Sequence, residues 1–254
     1  MWFDNHCHLT TLSRGDGEPM ADEAVAEARA AGVTRLLTVG CTVPDSLQAA
    51  AVAERFDDVW STAGVHPHDA SEGIDGLEAL FEHPSVVAVG ECGLDFHYDH
   101  SPRDVQADVF LRQVELANRN DLALVIHTRD AWEETFDLLD RAGQPERTVF
   151  HCFTGGPDEA SAAIERGGWL SFSGIVTFKN AEEVREAARL TPSDKMLVET
   201  DSPYLAPVPL RGKPNRPANV AIVGEFLADL LGRPVEEVAA TTTANANTLF
   251  GLDG

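Results

Sequence analysis

The segment His6-Cys7-His8 places two imidazoles two residues apart. In an extended strand such positions project to one face, and Cys7 between them must face the other way. Two nitrogens side by side make half of a divalent-cation site. Glu91, His127, His151 and Asp201 offer the same chemistry singly, further along the chain. Imidazole and carboxylate are the donors of zinc, manganese and related ions. Ions held this way lower the pKa of bound water and hold substrate oxygens. A lone His-x-His means little, because most histidine pairs belong to a core or a surface. Six such residues carry weight only if one fold gathers them.

The surrounding elements predict that gathering. Short β-type runs occupy Trp2–Asn5, Arg35–Val39, Val59–Ala63, Val86–Gly90, Leu122–Ile126, Thr148–Phe150, Trp169–Ser173 and Met196–Glu199. Helical spacing fills the intervals, as in Ala21, Val25, Ala28 and in Phe110, Val114, Ala117. Pro44-Asp45-Ser46 and Pro157-Asp158 look like helix starts, and further helices are expected over Asn219–Leu231 and after Pro234. Eight strands alternating with helices imply α/β architecture: a single (β/α)8 TIM barrel over residues 1–254, with its reactive groups at the C-terminal ends of the strands. An open doubly wound sheet would need a glycine-rich loop after the first strand, where this chain has His6-Cys7-His8. His6, His8, His66, Glu91, His127, His151 and Asp201 all fall at the ends of these runs.

Bulk composition bounds the partners. The formal net charge is −23 over 254 residues, with only three lysines. Such a surface repels phosphate backbones at long range, so it argues against a high-affinity nucleic-acid binder. It suits small substrates, or a nuclease gripping a few nucleotides through a local basic patch. The apolar runs are too short to span a bilayer and no targeting segment is recognisable, so a cytoplasmic protein with no membrane role and no obligatory protein partner is expected. The four cysteines lack CxxC spacing and read as reduced thiols; Cys92 and Cys152 each follow a proposed ligand and should face away, so no cysteine is expected to ligate metal.

Several phrases make the pattern more specific. They are Asp4-Asn5-His6-Cys7-His8-Leu9, Gly64-Val65-His66-Pro67-His68, Gly90-Glu91-Cys92-Gly93-Leu94-Asp95 and Ile126-His127-Thr128-Arg129-Asp130-Ala131. Phe150-His151-Cys152-Phe153-Thr154-Gly155, Ser171-Phe172-Ser173-Gly174, Glu199-Thr200-Asp201-Ser202-Pro203-Tyr204 and Arg211-Gly212-Lys213-Pro214-Asn215 follow in order. Together they resemble the TatD family of metal-dependent deoxyribonucleases, within the amidohydrolase superfamily, and the resemblance spans the whole chain. It implies that His6 and His8 bind one ion with help from Asp201, that Glu91 bridges, and that His127 and His151 bind a second. The cofactor would then be two divalent ions: zinc or manganese on donor softness, magnesium by the resemblance. Asn5 stands where that family more often has Thr or Ser, which touches nothing catalytic.

The expected reaction is hydrolysis of phosphodiesters at short or single-stranded nucleic-acid ends. Asp201 would orient the attacking water and accept its proton, and Glu91 would complete the centre. Glu199, two residues before Asp201, is a supporting candidate, or else the partner in an ion pair inside the barrel. His66, Arg129, Lys179, Arg211 and Lys213 are the candidate substrate-binding residues, and Arg216 could join them. The alternative for each of these cations is a pair with one of the abundant surface carboxylates. Tyr204 or Phe153 could stack a base. His68 reads as a passive neighbour of His66, and His83, His97 and His100 as solvated loop residues. Two other functions suit the same donors: an amidohydrolase-type esterase, lactonase or aminoacyl-tRNA deacylase, or a non-catalytic metal-binding scaffold.

Overall fold

The computed structural model describes residues 1–14 and 17–252. Its eight strands are β1 (Trp2–Cys7), β2 (Val33–Thr38), β3 (Val59–Ala63), β4 (Val86–Asp95), β5 (Ala123–Arg129), β6 (Thr148–Phe150), β7 (Trp169–Phe172) and β8 (Met196–Val198). They lie in chain order in one sheet, and every neighbouring pair is parallel. The last strand returns to the first. The amide of Asp201 donates to the carbonyl of His6 at 2.9 Å, and the amide of His8 donates to that of Ser202 at 2.8 Å. The sheet is therefore a nearly closed barrel, and its closing seam carries His6, His8 and Asp201.

Parallel strands need crossovers, and helices supply most of them. The helices are α1 (Ala21–Ala30), α2 (Val43–Ala53), α3 (Arg103–Asn120), α4 (Trp132–Ala142), α5 (Pro157–Glu165), α6 (Glu182–Leu190), α7 (Val220–Leu231) and α8 (Val235–Phe250). Thr42 caps α2 by accepting from the amide of Asp45, with Pro44 in the first turn as its fixed φ allows. The β3-to-β4 connection departs from the expected helix: it consists of two 3-10 turns, Pro67–Glu72 and Glu78–Glu82. Gly73 and Gly76, both at positive φ, break any longer helix there.

The apolar filling of the barrel includes Phe3, Leu37, Val125, Val149 and Leu197, with Leu249 and Phe250 of α8 packed against it. A second apolar layer, between sheet and helices, takes Cys7 and Cys92 along with Val25, Phe110 and Leu227. Both thiols are fully buried and turn to backbone carbonyls, Cys7 to Leu37 and Cys92 to Val125.

Several strand limits differ from those that apolar runs suggest. β1 continues through Cys7, β4 continues to Asp95, and β5 runs from Ala123 to Arg129. β7 and β8 each stop one residue early, and β2 shifts to Val33–Thr38. The cause is backbone pairing, which ignores side-chain polarity. Cys92 to Asp95 of β4 stay in register with Ile126 to Arg129 of β5, after a register shift around Gly90 and Glu91. Gly93 makes this approach possible: its φ is +140° and a Cβ there would collide with the backbone oxygen of His127. Glu91 and His127 are thus inside strands, held rigidly, rather than on loops beyond them.

Candidate metal centre

All six predicted ligands meet at the C-terminal rim. Glu91 lies in the middle, 3% exposed, and its two oxygens serve different neighbours. Oε2 is 3.2 Å from His6 Nε2 and 3.9 Å from His8 Nε2. Oε1 is 2.8 Å from His151 Nε2, 3.0 Å from His127 Nδ1 and 3.3 Å from His66 Nε2. Asp201 Oδ1 closes the first set, 3.2 Å from His8 Nε2 and 3.9 Å from His6 Nε2. Donor atoms of His6, His8 and Asp201 lie within 4.8 Å of one another, as do those of His66, Glu91 and His127.

Several buried groups support these donors. His151 Nδ1 is 3.2 Å from Glu199 Oε1, which also accepts the amide of Cys152 at 2.9 Å. That contact fixes the tautomer and leaves Nε2 facing the centre. Asp95 was missed by sequence reading. It is 1% exposed, and its Oδ2 stands 3.0 Å from both His127 Nε2 and His68 Nε2. Alternation along β4 would have found it, since Glu91, Gly93 and Asp95 share a face once the strand is extended. Beneath Asp201, Asp4 accepts from the amide and hydroxyl of Thr200 at 2.8 and 2.6 Å. Asn215 donates to the Thr200 carbonyl at 2.9 Å. These bonds hold Asp201 at a φ of +54°, a left-handed conformation that a non-glycine residue keeps only when its surroundings impose it.

The electrostatics follow from burying acids among imidazoles. Burial pushes the Glu91 carboxyl up, but the surrounding imidazoles, His151 foremost, outweigh it and hold it well below the usual range. Asp201 behaves likewise: burial raises it, the bond with His8 lowers it further, and the carboxylate form wins. Burial pulls His127 and His151 down, yet neighbouring carboxylates reverse this, through Asp95 and Glu91 for the first and Glu91 and Glu199 for the second. Both imidazoles end above their ordinary value. His66, whose burial dominates, is lowered to about 4.

Does this arrangement suit a cation? His6 Nε2 and His151 Nε2 are buried and have no aligned hydrogen-bond partner, although Glu91 oxygens lie close by. Distance alone would pair them. Neither nitrogen forms a hydrogen bond. Buried polar atoms left this way demand a partner, and four imidazoles with two carboxylates match the donors of a divalent ion. The residues fit.

Three thiols behave as expected, with Cys152 turning to the Ser173 hydroxyl at 3.3 Å. Cys41 differs. Its sulfur is 3.8 Å from His8 Nδ1, and it forms a further candidate donor group with His8 and Glu91.

The predicted cations form a less uniform set. Arg129 ends β5, Lys179, Arg211 and Lys213 follow β7 and β8, and none of the four forms an ion pair among the described residues. Arg129 lies over the ring of Tyr98 at 4.8 Å and Arg211 over that of Phe178 at 3.7 Å. Arg216 leaves the group, because its guanidinium turns to Glu27 of α1 at 3.8 Å. Phe153 also leaves. At 1% exposure it packs against Trp132 and Phe172 and cannot meet a base. Tyr204 stays exposed beside His8, their rings 5.8 Å apart. His83 and His97 are partly solvated and pair with Glu54 and Asp130.

A family profile described as "TatD related DNase" matches residues 3–251. The chain belongs to the TatD family. A Bacillus subtilis protein named uncharacterized metal-dependent hydrolase YabD is 39% identical over the full length of both chains. A Citrobacter koseri protein named 3'-5' ssDNA/RNA exonuclease TatD is 39% identical, over 91% of this chain and 93% of its own. Among solved structures, the TatD homologue YjjV of Escherichia coli K12 superposes with a TM-score of 0.90 at 28% identity, covering 98% of each chain. The chain is accordingly a metal-dependent hydrolase of the TatD family. Among the described residues, no helix is long and apolar enough to cross a membrane.

Proposed function

We propose that this chain, acting as one domain over residues 1–254, hydrolyses phosphodiester bonds at single-stranded nucleic-acid ends with two divalent ions. His6, His8 and Asp201 would hold one ion, and His127 and His151 the other, with Glu91 between the two sets. The observation that carries this reading is the division of Glu91, with one oxygen toward each set of imidazoles. A divalent cation at this site would supply acidified water and charge neutralisation for a phosphate. Asp201, held as a carboxylate at the rim, orients the attacking water and accepts its proton. Glu199 and Asp95 fix the tautomers of His151 and His127. His66, neutral and close to Glu91, faces the substrate side. Arg129, Lys179, Arg211 and Lys213, free of acidic partners among the described residues, take the phosphates. The activity named for the Citrobacter koseri relative supports this substrate class.

The net charge of −23 favours a second reading, ester or lactone hydrolysis by the same centre, because polyphosphates are repelled at long range. A short unpaired end reconciles charge with nuclease activity, since few phosphates then need contact. Metal-stripped protein reloaded with Mg, Mn or Zn should shorten end-labelled single-stranded DNA or RNA and leave an aryl ester and a lactone nearly untouched. Turnover of the ester or lactone alone would overturn the nuclease assignment. Asp201→Asn should lower kcat about 100- to 10,000-fold with an unchanged circular dichroism spectrum.

A further inference from the structure

The chain has two tyrosines in 254 residues, and both flank this centre. Tyr98 is 52% and Tyr204 55% exposed, and they are the exposed members among the large aromatic side chains of the described residues. An aromatic ring left half in water forfeits part of the benefit of burial, and here both such rings lie beside one centre.

Tyr204 follows β8 and Tyr98 follows β4, strands half a turn apart in the eight-strand order. A continuous run of ring contacts joins them across the centre. From Tyr204 it passes to His8 (5.8 Å), His6 (5.2 Å) and His151 (3.8 Å). It continues through His127 (5.8 Å), His66 (4.5 Å) and His68 (4.4 Å) to Tyr98 (5.5 Å). The tyrosines bracket the imidazoles. Tyr98 is part of a prebuilt stack, parallel to exposed His100 within 10° and overlaid by the Arg129 guanidinium. Tyr204 and His8 form a T-shaped pair at 71°, with Tyr204 itself 55% exposed.

We propose that these two posts form a base clamp. Tyr204 stacks the base on one side of the scissile phosphate, and the Tyr98–His100 stack takes the base on the other, with Arg129 against the phosphate between. Base–aromatic stacking is sequence-tolerant and needs an unpaired strand, because duplex bases are already stacked on each other. The clamp rests on the nuclease reading and deepens it. It explains how an acidic protein holds a polyanion: stacking replaces much of the ionic attraction.

The test compares two substrates of the metal-loaded enzyme, a six-residue oligothymidylate and a small diester with no aromatic ring, the abasic dinucleotide in which hydrogen replaces both bases. Tyr98→Leu and Tyr204→Leu should each raise KM for the oligonucleotide about tenfold or more beyond any change on the small diester, while the Phe variants retain wild-type KM. A hexanucleotide with 2-aminopurine at either end should be quenched on binding the wild type and less so by the Leu variants. If the wild type cleaves the oligonucleotide but the Leu variants lose no more on it than on the small diester, the clamp is wrong and the nuclease reading stands. If the wild type cleaves neither, both fall.

Discussion

Asp95 Oδ2 lies 3.0 Å from Nε2 of His127, so that Nδ1 of the same ring is the atom left to face Glu91. The carboxylate thereby chooses which nitrogen serves the centre. Removing it should loosen the ion held by His127 and His151 without touching a proposed ligand. Asp95→Ala is expected to weaken binding of one ion by about 10- to 100-fold, a cost typical of lost supporting carboxylates. Competition with a chromophoric chelator reads this directly. Wild-type affinity at both positions would show that Asp95 only packs.

Metal loading should tighten as pH rises. Burial lowers His127 and His151, but the carboxylates around them win and both sit above their ordinary value. In the metal-free protein these imidazoles therefore keep their protons to a higher pH than free histidine. An incoming cation must expel them, so affinity should climb from about pH 6 to about pH 8, roughly tenfold per unit for each proton displaced. Calorimetry in two buffers of different ionisation enthalpy counts the released protons. Affinity flat across that interval would contradict the charge state assigned here.

Gly93 tests the rigidity of the β4–β5 seam. Gly93→Ala places a methyl group against the His127 carbonyl, at a φ of +140° that L residues avoid. The expected loss exceeds about 1 kcal/mol, because strain adds to the collision. A lowered melting midpoint should accompany a weakened second ion. A midpoint at or above wild type would mean that the seam relaxes easily.

Salt should stabilise the protein. Many exposed arginines pair with acids, for instance Arg103 with Asp99 and Arg166 with Asp140, and screening weakens such pairs. Each contributes little at such exposure, however. Repulsion within a net charge of −23 acts over the whole surface and falls as the screening length shrinks from about 10 Å at 0.1 M to about 3 Å at 1 M. The melting midpoint should rise between those KCl concentrations. A fall would show that the ion pairs outweigh the repulsion.

What the chain reveals before folding is the order of its elements and the chemistry of their ends. Eight apolar runs alternating with helical segments require a parallel sheet, and His6, His8, Glu91, His127, His151 and Asp201 each fall at or just after the end of an apolar run. Those features are local. Strand alternation and backbone hydrogen bonding dictate them whatever the partner strands do. Tertiary structure decided the relations between distant residues. The extension of β4 to Asp95 depends on pairing with β5, so no apolar run announces it. Whether a cation meets an acid depends on which loop folds beside it, which separates Arg216 from Arg211. Likewise, burial removed Phe153 from the rim and left Tyr98 exposed there. Periodicity records which way a side chain points along its own element. Only the closed barrel sets what it then meets.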